Sequence, residues 1–145
     1  MGKKDQPDRS EFETVHAPLV EYLKWQYKDI LFQSDLNGVY LHGKIAKDKA
    51  RLQMDGGKWL DLFIAAPRIY NGILRYGLFL ELKLDIYGGS GYLKKDGTIR
   101  LKDKHIQSQY ATILKFRQLG YWAAFAGTFE QAKLMVDVYL SGESQ

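Results

Sequence analysis

Leu60-Asp61-Leu62-Phe63-Ile64 and, further along, Leu78-Phe79-Leu80-Glu81-Leu82-Lys83-Leu84-Asp85 are the stretches that decide how this chain folds. Within Trp59–Ile64, Leu60, Leu62 and Ile64 share one face of a strand, and Trp59, Asp61 and Phe63 share the other. Within Leu78–Asp85, four leucines line one face while Phe79, Glu81, Lys83 and Asp85 line the other. A sheet apolar on one side and aromatic on the other is expected to be covered on both. Asp61, Glu81 and Lys83 then sit mid-strand and at least partly buried. An unpaired buried carboxylate costs several kcal/mol, so such groups persist when paired or when they coordinate a metal. Two acids on neighbouring strands repel unless a cation lies between them. The chain has no cysteine, and hard cations take oxygen ligands, so Mg²⁺ or Mn²⁺ is the expected one. Spacing alone leaves a second reading open: Glu81 and Lys83 as an exposed charge pattern on a one-sided sheet.

Around this pair the order of elements reads as one α/β domain with a central mixed sheet. Residues 1–10 are expected to form a flexible arm, and 11–145 a single domain. Ser10 with Glu13 makes a capping box, after which Phe12, Val15, Leu19 and Leu23 recur at helical spacing towards Lys28. Pro18 is expected to kink that helix or start a new one. Ile30–Gln33 reads as a short strand, Ser34–Gly38 as a turn, and about Ile45–Met54 as a basic helix stopped by Gly56 and Gly57. Pro67–Gly77 connects the two deciding strands. After Asp85 come glycines 88, 89 and 91, read as a flexible loop, and then Asp96-Gly97, a hairpin signal. Ile106, Tyr110, Ile113 and Leu114 predict a helix ended by Gly120, followed by a buried strand at Tyr121–Ala126. Thr128 with Gln131 caps a last helix to about Leu140.

Composition narrows the function. At 145 residues the chain can bury roughly 68–70% of its unfolded surface without staples. Zero Cys excludes a disulfide framework, thiol catalysis and cysteine-based zinc or iron–sulfur sites. No apolar run approaches the roughly 18 residues of a membrane span, and the polar Met1–Ser10 lead is unlike a signal peptide, so a cytoplasmic protein is expected. With 26% charged and 14% aromatic residues it is not a disordered tail. The net charge of +4 is unevenly spread. Lys44, Lys47, Lys49 and Arg51 against Asp48 make one basic segment; Lys94, Lys95, Arg100, Lys102 and Lys104 against Asp96 and Asp103 make another. Two such segments suit a phosphate backbone, and they equally suit ordinary solvated faces.

The ordered series resembles the VRR-NUC branch of the PD-(D/E)XK nuclease superfamily. Asp61 and the Glu81-Leu82-Lys83 tripeptide match its D…E-x-K core. Ser34-Asp35-Leu36-Asn37-Gly38 and the basic helix precede that core. The Lys94-Lys95-Asp96-Gly97 hairpin, His105, Gln109, Leu119-Gly120-Tyr121 and the Phe129–Leu140 helix follow it in the same order. The likeness spans roughly residues 11–140. It departs before the catalytic strand, where Gly57-Lys58-Trp59-Leu60-Asp61 stands in place of Gly-x-Pro-Asp.

The resemblance implies a restriction-endonuclease-like core and divalent-metal-dependent hydrolysis of DNA phosphodiesters. Asp61, Glu81 and the Leu82 backbone carbonyl would hold the metal. Lys83 would orient or deprotonate the attacking water and stabilise developing charge. Gln109 would hold the water or Lys83, and Glu13, with Glu11 next in line, would be an outer metal contact; Glu13 serves equally as the capping partner of Ser10. Lys44, Lys47, Lys49, Arg51, Lys94, Lys95, Arg100, Lys102, Lys104 and His105 are the residues expected to meet DNA. Standalone members of this branch, phage-type proteins, resemble Holliday-junction resolvases; paired cuts need two active sites and hence a homodimer. The alternative is a non-catalytic DNA-binding or structural member of the same fold. Beyond His105, the histidines offer little: His16, His42 and His105 share no metal-ligand spacing, and no serine partner for any of them is evident. The tyrosines are expected mostly in the core or at interfaces rather than as stacking platforms for bases.

Overall fold

The computed structural model describes residues 11–34, 43–44, 48, 59–84, 86 and 104–144. Near the start of the described residues a π-helical turn, Phe12–His16, runs directly into helix α1, Ala17–Gln26. Pro18 falls in the first turn of α1, where its missing N–H costs least, so the proline starts a helix rather than breaking one. Strand β1 (Phe32–Ser34) pairs antiparallel with β2 (Leu62–Ile64), and β2 pairs antiparallel with β5 (Leu78–Leu82). Strand β6 (Trp122–Ala126) lies parallel to β5, giving a mixed four-stranded sheet in the order β1-β2-β5-β6. Helix α2 (Lys104–Gln118) precedes β6 and helix α3 (Phe129–Leu140) follows it.

Alternation along the strands divides the core into two halves, one on each face of the sheet. Leu62, Ile64, Leu78, Leu80 and Leu82 pack with Val15, Leu19 and Leu23 of the first helical segment and with Ala132, Val136 and Tyr139 of α3. Phe79, Ala123 and Phe125 point the other way, onto Ile106, Ile113 and Phe116 of α2, with Leu60 and Ile86 completing that half. Phe79 stacks between Phe63 and Phe116, with ring centroids 4.5 and 3.8 Å away. Tyr139 is fully buried and donates its hydroxyl to the Ala66 carbonyl at 2.7 Å. All five residues of β5 are buried, so the expectation of a sheet covered on both faces holds and the one-sided alternative falls.

Four expectations need correcting. Leu60 packs with Phe79 and α2 rather than sharing a face with Leu62 and Ile64, and β1 is Phe32–Ser34 rather than Ile30–Gln33, with Ser34 in the strand and not in a turn. The Pro67–Gly77 connection is itself a hairpin: β3 (Arg68–Tyr70) pairs with β4 (Ile73–Arg75) around Asn71-Gly72, both with positive φ. Asn-Gly is the residue pair that favours such a tight turn, so the signal stood in the sequence. The first helix ends at Gln26 rather than Lys28. The Thr128 cap forms as expected, its hydroxyl accepting from the Gln131 amide at 3.1 Å, and Gly120 (φ +96°) ends α2 beneath the Tyr76 ring. The 1–10 arm, the Ser10 half of its capping box, most of the 45–54 helix, the 88–91 glycines and the Asp96-Gly97 hairpin lie outside the described residues.

Candidate active site

Register sets the two core carboxylates against each other. Leu62 pairs with Leu80 across β2 and β5, so one step beyond the ladder Asp61 stands opposite Glu81. Glu81 belongs to the face that carries Phe79, beneath α2, from which Gln109 reaches it. The ladder is continued by a side chain: Asp61 Oδ2 accepts the Leu82 amide at 2.8 Å. The N–H and C=O of one strand residue point the same way, so the Leu82 carbonyl leaves β5 on the Asp61 side.

Glu81 is 6% exposed and Gln109, from α2, is 5% exposed. The Gln109 amide donates from Nε2 to Glu81 Oε1 at 2.5 Å, while its own Oε1 is buried without a partner. A third carboxylate closes in from just before the π-helical turn: Glu11 Oε2 accepts the Leu84 amide at 2.9 Å. Burial pushes the Glu81 carboxyl well above its ordinary value, and the charge of Asp61, a hydrogen bond with it and the charge of Glu11 push it further. Glu81 therefore sits where a negative charge is unwelcome unless a cation or a proton meets it. Among the described residues, no group of three or more His, Cys, Asp or Glu side chains is placed to hold a metal ion.

Of the expected site residues, the structure brings together Asp61, Glu81, Leu82 and Gln109. Lys83 follows directly, half-buried, with its amide tied to the Ala126 carbonyl at 2.9 Å. The first-helix glutamate is a different choice from the one expected: Glu13 is exposed, and Glu11 is the carboxylate directed to the end of β5. Nothing in residue type separates the two in sequence; the π-helical turn that begins at Phe12 decides it. His105 and Lys104 are exposed at the start of α2, His105 one turn before Gln109, and Lys44 is exposed as well. Lys47, Lys49, Arg51, Lys94, Lys95, Arg100 and Lys102 lie outside the described residues.

One contact overturns an expectation. His16 does pair with a serine: its Nε2 is hydrogen-bonded to Ser34 Oγ, and the ring is 9% exposed. Ser34 sits opposite Leu62, beside Asp61, at the same end of the sheet. Separation of the two residues in sequence hid the pairing, which only the crossing of the first helical segment over β1 creates.

No family model matches the chain, and no curated protein matches it. Among solved structures, one named "VRR_NUC domain protein" is similar over 98% of this chain and 94% of its own, at 18% identity with a TM-score of 0.55. At that identity the likeness is one of fold: a restriction-endonuclease-like core, with a central mixed sheet flanked by helices. Among the described residues no helix is long and apolar enough to cross a membrane.

Proposed function

We propose that the chain is a divalent-metal-dependent endonuclease hydrolysing phosphodiester bonds in DNA, selective for branched forms such as four-way junctions and acting as a homodimer. The observation that carries this reading is the burial of Glu81 against Asp61, with Gln109 hydrogen-bonded to Glu81 and Glu11 close by. The donor set fits a hard cation, since two carboxylates, the Leu82 carbonyl and an outer Glu11 carboxylate are all oxygens, and the charge between them needs neutralising. Bound there, Mg²⁺ or Mn²⁺ would polarise a phosphodiester oxygen and make water a nucleophile at neutral pH.

The chain's own groups supply the rest. Asp61 and Glu81 would hold the cation, Glu81 from within β5 and Asp61 from the residue before β2. Gln109 holds the Glu81 carboxylate in one orientation through Nε2, which leaves Oε1 to accept from the Lys83 ammonium or from the attacking water. Lys83, two residues beyond Glu81 on the same strand face, takes the water's proton or stabilises the charge that develops on the phosphoryl oxygens. Lys104 and His105 at the start of α2, with the two basic segments, hold the flanking backbone.

The test is cleavage of supercoiled plasmid, linear duplex and a synthetic four-way junction in Mg²⁺ or Mn²⁺ by the wild type, Asp61→Ala and Lys83→Ala. Cutting by the wild type alone, fastest on the junction, is expected. Undiminished cutting by both variants would remove the site; no cutting of any form by the wild type would leave a DNA-binding module instead.

A further inference from the structure

A second charged cluster lies where the β3–β4 hairpin, a separate two-stranded sheet, meets the end of α2 and the start of β6. Arg68 and Arg75 face each other directly in the β3–β4 ladder, a like-charge pairing that costs stability. Arg117, in the last turn of α2, joins Arg75 over Trp122: its guanidinium lies 4.4 Å from the indole ring centroid and that of Arg75 lies 5.5 Å away. Arg68 and Arg75 also lie close enough to Tyr139 to act electrostatically on its hydroxyl. Among the described residues, none of the three arginines has an ion-pair partner.

Structural duties account for part of this cluster. Arg117 Nε donates to the Ala123 carbonyl at 2.8 Å, and a cation suits the C-terminal end of α2. Arg68 donates to the carbonyls of Leu140 at 3.2 Å, closing the end of α3, and of Pro67 at 2.8 Å. Arg75 has no such account. Its Nε is buried without a partner, and its Nη1 reaches the Tyr121 carbonyl only at 3.5 Å. Each guanidinium has five donors in a planar fork, and here most of them remain available on half-buried side chains. Arginine forks of that kind match the oxygens of a phosphate bidentately, and a dianionic or monoanionic phosphate would relieve the mutual repulsion of the three.

We propose that Arg75 and Arg117, both against Trp122, and Arg68, opposite Arg75, form a phosphate-binding site, and that its occupant is the sugar–phosphate backbone of the nucleic acid whose cleavage is proposed above, on which reading the choice of occupant rests. Trp122 is in register with Leu78, three residues along β5 from Glu81, a span of roughly 10 Å at about 3.3 Å per residue. That is about three base pairs of duplex at ~3.4 Å each. One arm of a substrate can therefore touch both sites, its scissile phosphate at Glu81 and a distal phosphate at the arginines. Such a second anchor holds the substrate without taking part in bond cleavage.

The full chain is titrated with a fluorescently labelled 20-base-pair duplex in EDTA, by anisotropy, from low to moderate salt. Arg68→Gln and Arg75→Gln are each expected to weaken binding several-fold and to reduce the salt slope by about 0.9 for each phosphate that is no longer neutralised. Arg75→Lys, which keeps the charge without the fork, is expected to keep the slope and lose affinity. Should Arg75→Gln melt early, Arg68→Gln carries the test. Unchanged slopes in both glutamine variants overturn the proposal, as does stabilisation of the wild type by inorganic phosphate that disappears in the variants while their DNA slopes stay those of the wild type. Cleavage by the wild type in Mg²⁺ is read separately, so a failure of catalysis and a failure of this site give different results.

Discussion

Gln109 and Glu81, one from helix α2 and one from strand β5, meet at 2.5 Å with both side chains almost wholly excluded from solvent. A neutral amide facing a buried carboxylate orients it without supplying a charge, which is what a metal ligand needs from its neighbour. Gln109→Leu removes that hold and keeps the volume apolar. It is expected to lower cleavage and divalent-ion affinity by about 10- to 100-fold. The check is a metal titration of the cleavage rate alongside thermal melting, so that loss of fold is told apart from loss of the site. Rates and metal half-saturation both within twofold of wild type would deny Gln109 its place.

The same hydrogen bond sits inside a charge problem that depends on pH. Burial first, then Asp61 and Glu11, hold the Glu81 carboxyl well above its ordinary value of 4.5. The folded chain therefore keeps a proton that the unfolded chain releases. As pH climbs from about 4.5 through the raised value, the metal-free protein is expected to lose stability, because folding must then either hold the proton or bury the charge. A divalent ion should restore stability above that window, and Glu81→Gln should flatten the profile. Melting temperatures between pH 4.5 and 8, with EDTA and with Mg²⁺, measure this. A metal-free profile that rises across the window, or one that Glu81→Gln leaves unaltered, would contradict it.

Much of this site was legible because the strands that carry it are periodic. Alternation around Glu81 gives the two-faced sheet, and the period of Ile106, Tyr110, Ile113 and Leu114, stopped by Gly120, gives the helix above it. Glu11 was harder to pick out from Glu13, since a π-helical turn shifts side chains by part of a turn relative to the α spacing a reader assumes. The His16–Ser34 bond and the arginines around Trp122 were invisible for another reason. Each joins segments far apart in the chain, and no local period encodes such a meeting. The Asn71-Gly72 hairpin was readable but lay between two louder strands.

Asp137 shows the opposite electrostatic pattern to Glu81. Tyr22 and Tyr27 each donate a hydroxyl to its Oδ1 at 2.6 Å, and Lys133 reaches Oδ2 at 3.1 Å. Burial alone would raise this carboxyl, but the hydrogen bonds outweigh it and hold it below its ordinary value of 3.8. Its contribution is present above pH 3.8 and is lost as pH falls through the lower folded value. Asp137→Ala strands two hydroxyls where α1 meets α3 and is expected to cost about 1–3 kcal/mol at neutral pH. Asp137→Asn keeps an acceptor and should cost less while removing the acid-limb dependence. Urea denaturation at pH 7 and pH 3 separates the two; equal losses for Ala and Asn would mean that the hydroxyls find other partners.

Glu11 and Glu13 offer the sharpest choice that the structure makes. The Glu11 carboxylate accepts the Leu84 amide at 2.9 Å, and its charge is felt at Glu81, whereas Glu13 is exposed. Glu11→Gln keeps an oxygen to accept from Leu84 and removes only the charge, so the end of β5 should stay in place. Divalent-ion affinity is expected to fall about tenfold, in the range of an outer ligand. Relief of one negative neighbour should also weaken the pH-dependent loss of stability assigned to Glu81. Glu13→Gln should change neither. Isothermal titration with Mn²⁺, run on both variants beside the wild type, decides between them. A larger loss in Glu13→Gln would return the outer carboxylate to the position that the spacing of the first helix suggests.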